Sequence, residues 1–360
     1  MGLGLAAIEG LALLLMILRS RATARLADHA LADLTDELPA SALGRIHRTR
    51  DVVFARVAGR ELKLDVIAPS DPPAVDGPRR PALLQIHGGA WMVGDKREQG
   101  LPLLRLLASQ GWVGFNVNYR LSPRVKFPDH LIDLKRALAW IREHAVEYGI
   151  DPDYIVVTGG SAGGHLTALM ALTANDPAYQ PGFEDADTRL QAAVPFYGVY
   201  DFTNRNGCWP PDTIERFIEP IVMGARLADD PEAFAKASPI DCVRPDAPPF
   251  LIIHGDRDTL APVEDARDFA RRLEVTSTSR VHYLELHGAQ HAFDVFPSLR
   301  CDAVVGAVDH YLTRAYQEHQ VALGRPDALA LADPRTDAAA EPPSPPSEAD
   351  VEEAAPAVAS

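Results

Sequence analysis

Short apolar runs alternate with longer stretches of helical spacing between about residues 50 and 320. Strands are predicted at 51–57, 61–67, 82–87, 112–118, 154–158, 191–198, 249–254 and 280–286, and helices at 97–110, 129–147, 162–174, 262–275 and 298–318. Nearly all-apolar strands that alternate with helices indicate a mostly parallel sheet with helices on both faces. The pattern therefore predicts an α/β fold whose ligands bind at the carboxyl ends of the strands.

Residues 203–245 interrupt this alternation, because they contain helical patches and no strand. An insertion between two core strands at this point predicts a cap over the carboxyl ends of the strands. We therefore divide the chain into an N-terminal apolar helix with a cap or linker region (1–48), a central domain (49–320) and a C-terminal tail (321–360). The tail is rich in proline, alanine and acidic residues, and this composition predicts disorder.

The N-terminal residues 2–18 are apolar except for Glu9, and arginines follow them. The run is at the lower length limit of a membrane span, and a central glutamate is costly in a bilayer. Three interpretations stay open: a helix that lies on or is anchored in a membrane, a buried cap helix, and a cleaved signal segment. We predict membrane contact with the central domain on the cytoplasmic side, since arginines follow the run. A location in the cell envelope or outside the cell is the alternative.

Composition and charge narrow the classes of function. The chain has 360 residues and is 47% hydrophobic, so a large core is expected. A net charge of −15 argues against a nucleic-acid partner, which would need a basic surface. Cys208, Cys242 and Cys301 lack metal-binding spacing, and we expect three buried thiols rather than a Cys208–Cys242 disulfide. No metal or other cofactor is predicted, and the oligomeric state stays open.

A cluster of four glycines surrounds Ser161 at the junction of a predicted strand and helix, in the sequence TGGSAGG. Residues 159–163 match G-x-S-x-G, the turn that exposes a nucleophilic serine at the end of a strand. The N-terminal amides of the following helix favour negative charge near the serine. A phosphate-binding loop would need a lysine or a different glycine spacing, so a simple helix cap is the remaining structural alternative.

The sequence HGGAW at 87–91 ends another apolar strand. Its glycines let the backbone turn amides into a site, so Gly88 and Gly89, together with Ala162, are predicted to bind a developing oxyanion. Its histidine is expected to support the loop, and its tryptophan could equally belong to the core. The residues predicted for a substrate pocket are Ala90, Trp91 and Trp209.

Two further loops supply an acid and a base. The sequence HGDRD follows an apolar strand and contains Asp256 and Asp258, of which Asp258 is predicted to orient a histidine. The sequence HGAQHAF follows the last strand and contains His287 and His291, of which His291 is predicted to be the base. Helix capping by the aspartates and a structural role for His287 are the alternatives.

The chain order Ser…Asp…His is that of the α/β-hydrolases. Over residues 50–315 the sequence resembles the hormone-sensitive-lipase-like bacterial carboxylesterases of that superfamily. The motifs that carry the resemblance are HGGAW at 87–91, NYRLSP at 118–123, FPDHLIDLKRALAWI at 127–141, DPDYIVVTGGSAGG at 151–164, HGDRD at 254–258 and GAQHAF at 288–293. The family often has HGGG where Ala90 replaces the third glycine, and the Cβ atom of Ala90 would narrow the pocket.

The resemblance implies an α/β-hydrolase fold with a mostly parallel eight-stranded sheet and a helical cap. It also implies Ser161 as nucleophile, Asp258 as acid and His291 as base, with Gly88 and Gly89 in the oxyanion hole. The expected function is that of a serine carboxylesterase for short- to medium-chain acyl esters, acting through an acyl-enzyme.

The substrate is expected to be a lipophilic small molecule, because the cap has many apolar residues, although these residues could instead pack the cap on the body. They are Trp209, Ile214, Phe217, Ile218, Ile221, Val222 and Met223. A kynurenine-formamidase-like amidase, an acyltransferase and a non-catalytic ligand-binding protein are the alternatives. The intact Ser–His–Asp set argues against the last of them.

Overall fold

One sheet of eight strands forms the centre of the protein. The computed structural model describes residues 46–71, 79–296 and 298–325. The strands are β1 (Ile46–Val57), β2 (Arg60–Pro69), β3 (Arg80–Ile86), β4 (Val113–Val117), β5 (Ile150–Gly160), β6 (Ala192–Phe196), β7 (Phe250–Gly255) and β8 (Val281–Leu286). Their order is β1-β2-β4-β3-β5-β6-β7-β8, and all neighbours are parallel except β1 with β2 and β2 with β4. The predicted mostly parallel, eight-stranded sheet is confirmed.

Helices connect most of the strands, and all five predicted helices are present with shifted ends. The α-helices of the described residues are α1 (Leu101–Ser109), α2 (Asp129–Glu143), α3 (Ala145–Tyr148), α4 (Ala162–Leu172), α5 (Pro231–Lys236), α6 (Val263–Thr276) and α7 (Leu299–Ala322). The five predicted helices correspond to α1, to α2 with α3, and to α4, α6 and α7. The helix predicted from residue 97 begins only at Leu101, because Gly100 has a left-handed φ of 72°. A Cβ atom on Gly100 would overlap the side chain of Gln85, so only glycine fits there.

The core occupies both faces of the sheet, because successive residues of a strand point to opposite sides. Leu84 of β3 packs in a cluster with residues of α2 and α4, whereas Leu83 packs in a second cluster with residues of α1 and α7. Both leucines are fully buried, which explains why β3 is apolar along most of its length. Polar chemistry is therefore expected in the loops at the carboxyl ends of the strands.

The segment 203–245 contains helices and no strand, as predicted. A π-helix (Ile214–Met223) and α5 lie in it. Most of its predicted apolar binding residues are buried in the same cluster as the core of the body, namely Trp209, Ile214, Ile218, Val222 and Met223. This burial favours the interpretation that these side chains pack the segment on the body.

The helix α4, which begins directly after Ser161, is buried along its whole length. Its C-terminal end meets the buried side chain of Lys135 on α2. The Nζ atom of Lys135 donates hydrogen bonds to the carbonyl oxygen of Thr173 and, at 3.2 Å, to Oγ1 of Thr188. Burial lowers the pKa of Lys135 to about 7, because an ammonium group is poorly solvated in the interior.

Several predictions concern residues outside the described ranges. The apolar run 2–18 and residues 326–360 of the predicted tail lie outside the described ranges. The helix α7 continues to Ala322, just past the predicted domain boundary at residue 320. In the described ranges no helix is both long and apolar enough to cross a membrane. The three cysteines are free thiols, as expected, although only Cys301 is fully buried.

Replacing Lys135 by methionine is expected to flatten the pH dependence of stability. In the folded protein Lys135 loses its proton near pH 7, whereas an unfolded chain retains it up to about pH 10.4. Between these values the unfolded state binds more protons, so the stability of the wild type rises with pH by up to about 1.4 kcal/mol per pH unit. Urea unfolding at about pH 7, 8 and 9 measures this slope.

The matched control is Lys236→Met, since Lys236 is exposed and pairs with Glu232 at 2.7 Å. This variant should keep the slope of the wild type. An equally steep slope in Lys135→Met would contradict the assignment of the pH dependence to Lys135.

Candidate active site

Ser161 lies in the sharp turn between β5 and α4. Its backbone has φ 59° and ψ −122°, a conformation that costs a non-glycine residue about 1–3 kcal/mol. Glycines make the turn possible: a Cβ atom on Gly159 would lie 2.5 Å from the carbonyl oxygen of Ile86, and one on Gly163 would overlap the same oxygen. Ser161 occupies the N-cap position of α4, but its side chain makes no capping hydrogen bond, which leaves the hydroxyl group available for other partners.

The imidazole of His291 lies between a hydroxyl group and a carboxylate. Its Nε2 atom is 2.9 Å from Oγ of Ser161, and its Nδ1 atom is 2.6 Å from Oδ2 of Asp258. Because a carboxylate only accepts hydrogen bonds, Nδ1 carries the proton and Nε2 is left to accept from the serine. The structure thus brings the three predicted residues Ser161, His291 and Asp258 together, from loops after β5, β8 and β7.

The side chain of Asp258 is completely buried and is held by a turn of its own loop. Its Oδ1 atom accepts hydrogen bonds from the amides of Leu260 at 2.8 Å and Ala261 at 2.9 Å. On the other oxygen, Nε2 of His254 lies 3.4 Å away. Burial opposes ionisation, but hydrogen bonds from His254 and His291 outweigh it and hold the pKa of Asp258 well below its usual range. The carboxylate is therefore charged at neutral pH.

The competing residues Asp256 and His287 form a separate pair. Nδ1 of His287 is 2.8 Å from Oδ2 of Asp256, and the side chain of His287 is 90% exposed. The amide of Gly288 donates to the same carboxylate at 2.7 Å. This pair lies at the surface and makes no hydrogen bond to Ser161, so it ties the two loops together without reaching the serine.

The HGGAW loop lies against the serine, since a Cβ atom on Gly88 would be 3.1 Å from Cβ of Ser161. Both backbone groups of Gly88 are held by side chains. Nδ1 of His87 donates to the carbonyl oxygen of Gly88 at 2.7 Å, and the amide of Gly88 donates to Oε1 of Gln99, also at 2.7 Å. Burial lowers the pKa of His87, a shift that its hydrogen bond to Gly88 only partly opposes. The predicted supporting role of this histidine agrees with its position.

The predicted role of Gly88 as an oxyanion donor requires a correction, because its amide already donates to Gln99. The candidates for this role become the amides of Gly89, Ala90 and Ala162. Gly89 has φ 116°, and a Cβ atom there would overlap the carbonyl oxygen of Val93, so this position requires glycine. Ala90 follows with a left-handed φ of 51°.

The two tryptophans predicted for a substrate pocket are instead engaged within the protein. Trp91 is 3% exposed and its Nε1 donates to Nδ1 of His165 at 3.1 Å. Trp209 is 8% exposed and its Nε1 donates to Oδ2 of Asp265 at 3.0 Å. Rings this buried offer little surface to a substrate, so the core interpretation applies to both.

Sequence reasoning missed Gln99 and His254. Gln99 stands in the polar run DKREQG, which carries no periodic or motif signal. His254 belongs to the HGDRD motif, but its contact with Asp258 depends on the turn that follows. Its Nε2–H group donates to the carbonyl oxygen of Ala261 at 3.0 Å and so closes that turn.

Comparison with known proteins gives a consistent result. Residues 64–273 match the family model described as BD-FAE. Esterase LipQ of Mycobacterium tuberculosis is 44% identical over 287 residues, which cover 80% of this chain and 66% of that protein. The probable carboxylic ester hydrolase LipM of the same organism is 50% identical over 236 residues, which cover 66% of this chain and 54% of that protein. The chain thus spans between about half and two thirds of these curated relatives.

A solved structure shares the architecture. Esterase 2 of Thermogutta terrifontis, phosphonylated by sarin, matches with a TM-score of 0.65 and 27% identity, over 73% of this chain and 94% of that chain. The α/β-hydrolase fold that the sequence predicts is therefore confirmed.

Replacing Gln99 by leucine is expected to destabilise the protein by about 1–3 kcal/mol, because the buried amide of Gly88 would lose its acceptor while the side chain keeps its size. Urea unfolding measures the change. Gln110→Leu is the control, since Gln110 bonds Asp309 at the partly exposed end of α1, and it should cost less than about 1 kcal/mol. Equal losses in the two variants would contradict the role given to Gln99.

Proposed function

This chain belongs to the BD-FAE family, among the hormone-sensitive-lipase-like α/β-hydrolases, and we propose that it is a serine carboxylesterase. One observation carries the proposal: Nε2 of His291 lies 2.9 Å from Oγ of Ser161 while Nδ1 lies 2.6 Å from Asp258. A serine with this partner can be deprotonated as it attacks, and the relatives named esterases support an ester as the substrate.

In the proposed reaction, Oγ of Ser161 attacks the carbonyl carbon of the ester while Nε2 of His291 takes its proton. The resulting oxyanion is stabilised by the amides of Gly89, Ala90 and Ala162. His291 then protonates the departing alcohol, which leaves an acyl group on Ser161. Water, deprotonated by the same nitrogen, attacks the acyl-enzyme and releases the acid.

The charges of the site favour this sequence of steps. The ionised carboxylate of Asp258 stabilises the imidazolium that forms when His291 holds two protons. The N-terminal end of α4 faces the developing negative charge with its free amides. Neither contribution requires movement during the reaction, because α4 is buried and the carboxylate of Asp258 is held by the amides of Leu260 and Ala261.

The proposed substrates are small-molecule esters with short or medium acyl chains. Most apolar side chains of the cap segment are already buried against the body, which leaves few of them to line a long acyl channel. Contact of residues 2–18 with a membrane, and a cytoplasmic catalytic domain, stay predictions from the sequence. Flotation of the full-length protein with phosphatidylcholine vesicles tests the membrane contact.

Replacing Ser161 by alanine is expected to lower kcat for p-nitrophenyl butyrate by at least about a thousandfold, because no other group in the proposed mechanism can form the acyl-enzyme. The release of p-nitrophenol measures the rate. Ser109→Ala is the control, since the Ser109 hydroxyl donates to the carbonyl oxygen of Leu106 at the end of α1, and the activity of this variant should be unchanged.

Labelling separates a catalyst from a protein that only binds esters. A fluorophosphonate probe should add its phosphonyl group to the peptide that contains Ser161 in the wild type and in Ser109→Ala, but not in Ser161→Ala. Mass spectrometry locates the group. A wild type that neither hydrolyses the ester nor reacts with the probe would refute the proposal.

A series of p-nitrophenyl esters of increasing acyl length is expected to show its highest kcat/KM with short to medium chains. Longer chains should lose activity because the packed cap has little apolar surface left for them. An optimum above roughly twelve acyl carbons would contradict this substrate class while leaving the triad mechanism intact.

A further inference from the structure

The loop that carries His291 has two further anchors besides its contact with Asp258. Before His291, the carbonyl oxygen of Ala289 accepts a hydrogen bond from the amide of Arg257 at 3.0 Å. After His291, the anchor is the carboxyl group of Asp294, whose Oδ1 accepts a hydrogen bond from the hydroxyl of Tyr197. The base is therefore held between one fixed point on each side.

Tyr197 lies directly after β6, between the imidazole of His291 and the residue that precedes Ser161. Its ring centroid is 4.8 Å from that of His291, with 60° between the ring planes. On its other side, a Cβ atom on Gly160, the residue before Ser161, would lie 2.6 Å from the Tyr197 hydroxyl oxygen. The side chain is 2% exposed, and its backbone φ of 34° is rare for an aromatic residue. A single side chain thus spans from the nucleophile turn to the base.

The Tyr197–Asp294 hydrogen bond is partly buried, with Tyr197 buried and Asp294 half-buried. Both residues line a cavity of about 20 Å³, which has room for one water molecule. Burial raises the pKa of Tyr197, so its hydroxyl stays a donor. Burial also raises the pKa of Asp294, and the hydrogen bond from Tyr197 only partly offsets this. The other ionisable groups that act on the pair are His291, Asp258 and Cys301.

We propose that Tyr197 and Asp294 are positioning residues that hold the imidazole of His291 at hydrogen-bonding distance from Ser161 throughout the reaction. Asp258 restrains the imidazole at Nδ1, whereas the Tyr197 ring and the anchored loop restrain its position relative to the nucleophile turn. A displacement of about 1 Å at this point can cost about a hundredfold in rate. The inference rests on the proposed esterase function.

The test compares kcat and KM of variants with p-nitrophenyl butyrate. Tyr197→Phe removes only the hydroxyl group, and Asp294→Ala removes only its acceptor. Each should lower kcat about tenfold with KM unchanged, and the double variant should be no slower than either single variant, because the two groups act as one unit. Asp294→Asn keeps an acceptor oxygen and should retain kcat within about threefold of the wild type.

A matched control separates positioning from general stability. Tyr316 on α7 is also buried, and its hydroxyl donates to the carbonyl oxygen of Arg79 at 2.9 Å, far along the chain from the triad residues. Tyr316→Phe should lower the melting temperature as Tyr197→Phe does, but keep kcat. If Tyr197→Phe also keeps kcat while its melting temperature falls, the pair is merely structural and the inference is refuted.

A pH profile gives the second readout. Asp294→Asn should leave the acid limb of kcat/KM where it is in the wild type, because positioning does not depend on the charge of Asp294. A shift of that limb to lower pH would show that Asp294 acts as a negative charge on His291, which would overturn the positioning role. An inactive wild type would instead refute the proposed function, so the two failures are distinguishable.

Discussion

The hydrogen bond from Nδ1 of His291 to Asp258 determines what the rest of the site can do. It fixes the proton on one nitrogen and leaves the other facing Ser161. It forms because β7 and β8 are parallel neighbours whose carboxyl ends, Gly255 and Leu286, lie side by side. The loops after these strands are thereby brought to the same edge of the sheet, although Asp258 and His291 are 33 positions apart in the chain.

In the HGGAW loop, side chains from other positions likewise hold the backbone in place. His87 holds the carbonyl group of Gly88, and Gln99 holds its amide, so the peptides on both sides have little freedom to rotate. Since the carbonyl of one residue and the amide of the next belong to one planar unit, fixing the Gly88 carbonyl also fixes the direction of the Gly89 amide. Donors held in this way stabilise a charge without reorganising when it appears.

The sequence predicted those features that depend on neighbouring residues. Apolar strands, the glycines around Ser161 and the histidine after the last strand are all local signals, and the α/β fold follows from their order. Side-chain pairings across the fold were not predictable. The hydrogen bonds between Gly88 and Gln99 and between Trp91 and His165 depend on how the HGGAW loop turns. The spacing of apolar residues along the chain does not predict that turn. Aromatic residues near a site are easily predicted to bind substrate, but Trp91 and Trp209 are buried and pack in the core.

The complete burial of α4 determines which parts of the protein unfold first when it is heated. A helix with no exposed residue exchanges its amide hydrogens only when the sheet and its covering helices separate, so the turn at Ser161 belongs to the last cooperative unit to open. The loops that carry His291 and Asp258 contain exposed or half-buried residues, so we expect them to open before that unit does. If these loops open, the contact between His291 and Ser161 is lost, but the turn at Ser161 keeps its conformation. The contact can then form again when the loops close. Heating to temperatures below global unfolding is therefore expected to cause a reversible loss of activity. Irreversible inactivation is expected only when α4 itself unfolds.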